Sequence, residues 1–248
     1  EMQRSLVGSE MCIRDRASYF RSPVAYCIMG FFMAIVGLMF WINNILNASA
    51  QFSQTLSSIG VFLTFLVPII TMKLLSDEKK NGTEVLLRTC PVPMWKIVTG
   101  KYLASVTLFL IMTLLTFIFP VLIAFLAEEG AVLGTAQDMG SYIGFFLLGA
   151  SYLAISLFVS SFTESQAVAA VAGIVTLIIF YFLQSIGASL GTAFGAALQW
   201  IAPLARYQDF TVGSFNFASL IFYISFSAML VFCLLYTSPS PRDYAASR

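Results

Sequence analysis

Asp77, Glu78 and Glu84 stand with six basic residues, Lys73, Lys79, Lys80, Arg88, Lys96 and Lys101, in one stretch of an otherwise apolar chain. That stretch, residues 73–101, reads KLLSDEKKNGTEVLLRTCPVPMWKIVTGK and holds six of the 13 Lys and Arg residues. The chemistry open to it is ionic recognition, not bond making. The chain has no histidine, and Cys12, Cys27, Cys90 and Cys233 lack the spacing of a metal site or a disulfide framework. It also has no G-x-x-x-x-G-K-[ST] phosphate loop, so ATP has no ordinary seat on it.

The elements that must hold such a stretch follow from composition. Apolar residues make up 59% of the 248 and charged residues 10%, where a soluble domain carries about a quarter charged. The expected fold is an all-α integral membrane protein. A net charge of +1 offers no surface for nucleic acid.

A helix needs about 20 mostly apolar residues to cross about 30 Å of hydrocarbon. Six segments qualify: 24–42, 56–72, 102–126, 141–162, 167–186 and 217–235. Pro23 suits the first position of a helix, and Pro68 and Pro120 predict bends within the second and third spans. ASYFRSPVAY before the first span fits an interfacial helix or a frayed lead-in. Asn43, Asn44 and Asn47 mark an uncharged turn, and Glu128, Glu129 and Asp138 bracket an acidic loop. Residues 187–216 are Gly-rich and too interrupted to span, which predicts re-entrant or outer-leaflet helices.

Lys and Arg in short loops set orientation. The 73–101 loop and the lead-in at Arg21 are basic, whereas 43–55 and 127–140 carry no Lys or Arg. The 73–101 loop and both termini are therefore expected in the cytoplasm. The spans contain no Asp, Glu, Lys, Arg or His, which argues against proton-coupled carriers and ion pathways. Small residues recur four apart, Ala150 with Ala154, Ser156 with Ser160 and Ala169 with Gly173. Such pairs allow close helix packing, within one subunit or at a dimer seam.

Within the charged loop, Asn81 or Thr83 can cap a helix and Glu84 suits its first turn. A short helix is expected over Glu84–Thr89, about 10 Å long, stopped by Pro91. Val85, Leu86 and Leu87 give it an apolar patch rimmed by charge, a mark of partner sites. Trp95, Lys96 and Lys101 read as the anchor where the chain re-enters the membrane. On residues alone, a docking handle and a loop that merely fixes topology both fit.

PIITMKLLSDEKKNGTEVLLRTCPVPMWKIVTGKYLA, residues 68–104, resembles the membrane subunits of type-2 ABC exporters. The matching pieces are Pro68, Met72-Lys73, Asp77-Glu78-Lys79-Lys80, Gly82-Thr83, Leu86-Leu87, Thr89-Cys90-Pro91 and Gly100-Lys101-Tyr102. Asp77-Glu78 stands where a paired glutamate is commoner. SSFTESQAVAA (160–170) is similar to that family's turn between spans four and five, and APLARYQDFTVG (202–213) to its outer segment. The opening SYFRSPVAY is most similar to the gliding-motility-associated permease branch.

The resemblance implies a six-span permease over residues 17–235, in the bacterial inner membrane. It pairs with a second permease subunit, identical or not, and with cytoplasmic ATPases that carry the ATP; this chain holds no cofactor. It also implies a coupling helix between spans two and three. Asp77, Glu78, Gly82, Thr83, Glu84, Leu86, Leu87 and Pro91 would meet the ATPase. Glu164 would join them or merely keep a tight turn in water. Arg206 and Asp209, three apart, would form a local ion pair or gate the outer mouth.

Two other classes compete. An ATP-independent carrier or channel would need buried charge or an inverted repeat, and neither is visible. A membrane enzyme would need a nucleophile–base or acid pair near the interface, and none is found. EMCIRDR (10–16) and LLYTSPSPRD (234–243) resemble translated sequencing-adapter read-through, and the chain opens at Glu1. Residues 1–16 and 236–248 are accordingly expected to be a non-native leader and tail.

Overall fold

The computed structural model describes residues 23–80, 94–126, 135–163, 165–213 and 216–237. Among them are nine α-helices: α1 Pro23–Phe40, α2 Ser53–Lys80, α3 Met94–Leu115, α4 Ile118–Leu126, α5 Thr135–Ser161, α6 Gln166–Leu190, α7 Ala193–Ile201, α8 Pro203–Thr211 and α9 Phe217–Thr237. A π-helical turn, Trp41–Leu46, prolongs α1. Six segments are long and apolar enough to cross a membrane: Tyr26–Leu46, Ser53–Met72, Val98–Phe125, Ala136–Ser161, Gln166–Leu190 and Phe217–Tyr236. No strand occurs among the described residues. The all-helical, six-span expectation is met.

The bundle is built around α5, which packs on α2, α3, α6, α8 and α9. Its apolar window is 72% buried and that of α2 61%, against 17% for α6, so α2 and α5 form the inner pair. Leu56, Ile59, Leu63 and Ile70 of α2 share one core with Phe145, Leu148 and Tyr152 of α5. Lipid is as apolar as these side chains, so fit rather than water exclusion must hold the helices together. The small residues supply that fit. A Cβ on Gly173 of α6 would lie 3.1 Å from both the Pro68 ring and Ser156 Oγ. One on Gly149 of α5 would collide with the Phe109 ring of α3. Ala150, Ala154, Ser156, Ser160 and Ala169 are all buried within the subunit. Of the two readings of these pairs, packing inside one subunit is the one observed.

The charged stretch differs from the expected loop at both its ends. α2 does not stop where its hydropathy stops, at Met72, but continues to Lys80. Leu, Lys and Glu are good helix formers, and no breaker occurs before Asn81-Gly82. At 1.5 Å per residue its 28 residues span about 42 Å, longer than about 30 Å of hydrocarbon. The next helix begins already at Met94, so Trp95 to Lys101 are helical.

The bend expected at Pro120 falls earlier. The helix breaks at Thr116-Phe117 and restarts as α4. Pro120 has no N–H to give to the Thr116 carbonyl. That carbonyl accepts the Tyr142 hydroxyl of α5 at 3.0 Å and the Phe119 N–H at 3.1 Å. α2, by contrast, runs as one helix through Pro68.

Between α6 and α9 the chain makes a helical hairpin. Gly191, at φ 58°, takes the left-handed conformation that ends α6, and the Thr192 hydroxyl caps α7 by accepting the Gly195 N–H at 3.3 Å. α7 returns along α6 at very short range: a Cβ on Gly195 would lie 2.6 Å from the Gly187 carbonyl oxygen. Ala202 is extended, as a residue before proline should be, and Pro203 opens α8. α8 then runs along α5, and Gly213, at φ 81°, closes it.

Candidate functional site

Two ends of the α2–α5 pair can do chemical work, and the sequence pointed mainly to one. At the Lys80 end, Asp77 and Glu78 lie on the last turns of α2. Gly82, Thr83, Glu84, Leu86, Leu87 and Pro91 lie outside the described residues, as does Glu164. So do the expected helix over 84–89 and the interfacial lead-in ahead of Pro23. What the structure places at this end is the root of the stretch. The segment carrying Lys73 to Lys80 is backbone-continuous with the most buried pair of helices.

That pair is joined along its length. The Thr71 and Ser156 hydroxyls meet at 2.5 Å in the buried α2–α5 seam. Thr71 Oγ1 also lies 3.2 Å from the Val67 carbonyl and 3.1 Å from that of Pro68, within its own preceding turn. A hydroxyl in hydrocarbon has no water to turn to, so each such pair fixes register.

At the opposite end, polar side chains tie the π turn, α2, α5 and α8 together. The Asp138 carboxylate, in the first turn of α5, accepts the Ser53 N–H at 3.0 Å and so caps α2 from another helix. Asn44, buried on the π turn, donates to the Ser49 and Gln51 carbonyls at 2.9 and 3.2 Å and accepts from Thr55 at 2.6 Å. Gln137 donates to the Thr211 carbonyl at the end of α8 at 2.5 Å. Phe52 stacks between Tyr142 and Phe119 at 5.8 and 6.1 Å, and Phe40 meets Phe119 at 5.0 Å. Sequence reading placed Asp138 in an acidic loop and the asparagines in a plain turn. The available signal was that an acid suits the first turn of a helix.

Arg206 and Asp209 both lie on α8 but serve different partners. The Arg206 guanidinium sits 4.2 Å from the centroid of the Trp200 ring and 5.3 Å from that of Phe222. Its Nη2 is buried with no hydrogen-bond partner among the described residues. Asp209 accepts from Ser219 Oγ at 2.7 Å and from Asn216 at 3.3 Å, tying α8 to the start of α9. Between them Tyr207 is fully buried, its hydroxyl likewise without a partner. Burial raises its phenol well above the ordinary range, so it stays neutral.

A lengthwise inner pair, a charged helical extension at one end and a polar clasp at the other belong to a helical chain with six segments long and apolar enough to cross a membrane. The family model described as ABC-2 family transporter protein matches residues 29–239, most of the chain, and the chain belongs to that family. It is a multi-pass membrane permease, the transport subunit rather than an enzyme. Membership implies a bilayer around it and an ATPase subunit as its partner. No curated protein matches the chain.

Proposed function

We propose that this chain is one permease half of an ATP-driven exporter, in which α2 is the lever between a separate ATPase and the transport path. The observation that carries the reading is the continuity of α2. Its apolar part is locked against α5, and its charged part runs on without a break to Lys80. A push on the segment after Lys80 would move the core pair as one body. Asp77, Glu78, Gly82, Thr83, Glu84, Leu86, Leu87 and Pro91, with Glu164, form the ATPase contact, and the stretch from Asp77 to Pro91, with its expected short helix over Glu84–Thr89, is the coupling element. Basic residues concentrated in 73–101 support a cytoplasmic position for that side and for both termini.

The α7–α8 hairpin acts as a re-entrant outer element. Leu204 at its tip lies beside the site of Gly60, seven residues into α2, and Tyr223, six residues into α9, donates to the Pro203 carbonyl at 2.6 Å. The tip therefore stands about 10 Å inside the ends of those helices. Arg206 and Asp209 on this hairpin gate the outer mouth. A second permease subunit, identical or related, completes the path in a bacterial inner membrane, and the opening residues favour a gliding-motility-type system.

Co-purification tests the reading. The full chain should carry with it a Walker-motif ATPase from its native host, and Leu86→Ala with Leu87→Ala should lower recovery by more than tenfold, as for a buried hot spot worth about 2 kcal/mol. Recovery of the chain with no ATPase under conditions that keep it folded would favour the carrier reading.

A further inference from the structure

We propose that Arg206 anchors a binding site for an oxyanion, a phosphate or carboxylate group that reaches α8 from the side of the membrane opposite the charged stretch. Arg206 is the one Lys or Arg between Lys101 and Arg242. Basic residues gather on the side where topology needs them, and this one stands apart from them. Its guanidinium lies 4.2 Å from the centroid of the Trp200 ring on α7 and 5.3 Å from that of Phe222 on α9. Aromatic faces attract a cation but give its N–H donors no oxygen to bind. Nη2 is buried with no hydrogen-bond partner among the described residues, while Arg206 as a whole is only half-buried. A guanidinium does not shed its proton, so the charge stays. A charge drawn out of water needs an opposite charge beside it.

Among the described residues, the neighbouring carboxylates are engaged elsewhere or out of reach. Asp209 accepts from Ser219 Oγ at 2.7 Å and from Asn216 at 3.3 Å. α8 packs on α2, α5, α6, α7 and α9, and of these α6, α7 and α9 contain no Asp or Glu. Asp138 of α5 accepts the Ser53 N–H at 3.0 Å. Asp77 and Glu78 of α2 lie about 25 Å along that helix from Gly60, beside which Leu204 sits. The anion therefore comes from outside these elements. Paired oxygens match the in-plane donors of a guanidinium, which selects phosphate and carboxylate over a halide. Phe222 lies about 8 Å along α9 from its first residue, Phe217, so the site stands just under one end of that span. A lipid headgroup and a dissolved solute can both present an oxyanion there. Such an anion is the ligand of the gate proposed above; the site rests on that reading only for the side from which the anion arrives.

The test uses the full chain carrying Trp41→Phe and Trp95→Phe, which leaves Trp200 as its sole tryptophan. In an uncharged, lipid-free detergent at constant ionic strength, sodium phosphate or acetate should shift Trp200 emission saturably, which identifies a dissolved ligand. A shift seen only when phosphatidylglycerol is added to phosphatidylcholine nanodiscs identifies a lipid headgroup, and either result supports the site. Arg206→Gln should abolish the shift, and Arg206→Lys, which keeps the charge but not the fork, should weaken binding about tenfold. Helical circular dichroism should be unchanged in both. No saturable shift from either source, an equal shift with sodium chloride, or a shift retained in Arg206→Gln would overturn the proposal. So would a shift that appears only after Glu128→Gln and Glu129→Gln, since the chain would then supply its own anion. Binding is read here without an ATPase, so failure of the exporter reading and failure of the anion site give different results.

Discussion

Asp138 holds the first backbone N–H of α2 from the first turn of α5, across 85 residues of sequence. The two most buried helices are thus pinned where both begin, and the Thr71–Ser156 contact pins them again further along. Under the lever proposal, these two contacts are what would make the pair move as one strut when the charged extension of α2 is pushed.

Removing the Asp138 oxygen should loosen that pin. Asp138→Ala is expected to destabilise the protein by about 1 kcal/mol, the usual cost of a lost helix cap. Asp138→Asn keeps an acceptor oxygen and should lose less than half of that. Thermal unfolding in detergent, followed by helical circular dichroism, reads the difference.

Thr71→Val should be milder than its buried position suggests. Interhelical hydrogen bonds in membrane proteins average about 0.6 kcal/mol, because the separated helices also find partners. A loss above about 2 kcal/mol in reversible unfolding would mean that the Thr71–Ser156 pair carries more than register.

The α6–α7 turn should tolerate a methyl group badly. At Gly195 an added Cβ meets the Gly187 carbonyl, which is backbone and cannot rotate away. Gly195→Ala is expected to cost about 1–3 kcal/mol, as overpacking does. It should also expose the hairpin to added protease before the six long helices are cut. Gly191→Ala meets no neighbour but must hold a left-handed φ, and about 1 kcal/mol is expected.

Arg206 acts on the hairpin through its plane as much as its charge. Its guanidinium lies over Trp200, so Arg206→Lys should not substitute fully. Loss of the stacked contact is expected to cost about 1–2 kcal/mol. Trp200 fluorescence should shift in both Arg206→Lys and Arg206→Ala.

Six apolar spans were legible because continuous runs of about 20 apolar residues have few other uses in a chain this poor in charge. Their ends were not. Hydropathy marks where the membrane stops, whereas a helix stops where its backbone does, so Lys73–Lys80 read as loop though it is helix. Pro120 was legible as a bend, but its position depended on Tyr142 taking the Thr116 carbonyl, a contact between helices. Asp138 was misplaced for the same reason, since the N–H it caps belongs to Ser53. The centrality of α5 was invisible, because apolar sequence says that a helix is surrounded without saying by what. The glycines of 187–195 signalled irregularity, and the structure shows they permit a backbone-to-backbone approach.

The most direct measurement concerns α2 as a lever. Spin labels at Leu46 and Val212, both exposed at the clasp end, report whether ATP binding to the partner reaches that face. In the native complex the distance between them should change when ATP binds. Ser76→Pro breaks the helix between the inner pair and Lys80. The account predicts that this variant still inserts and still binds the ATPase, but that the ATP-driven distance change is lost. A Ser76→Pro complex in which ATP moves the labels as in the native one would contradict it.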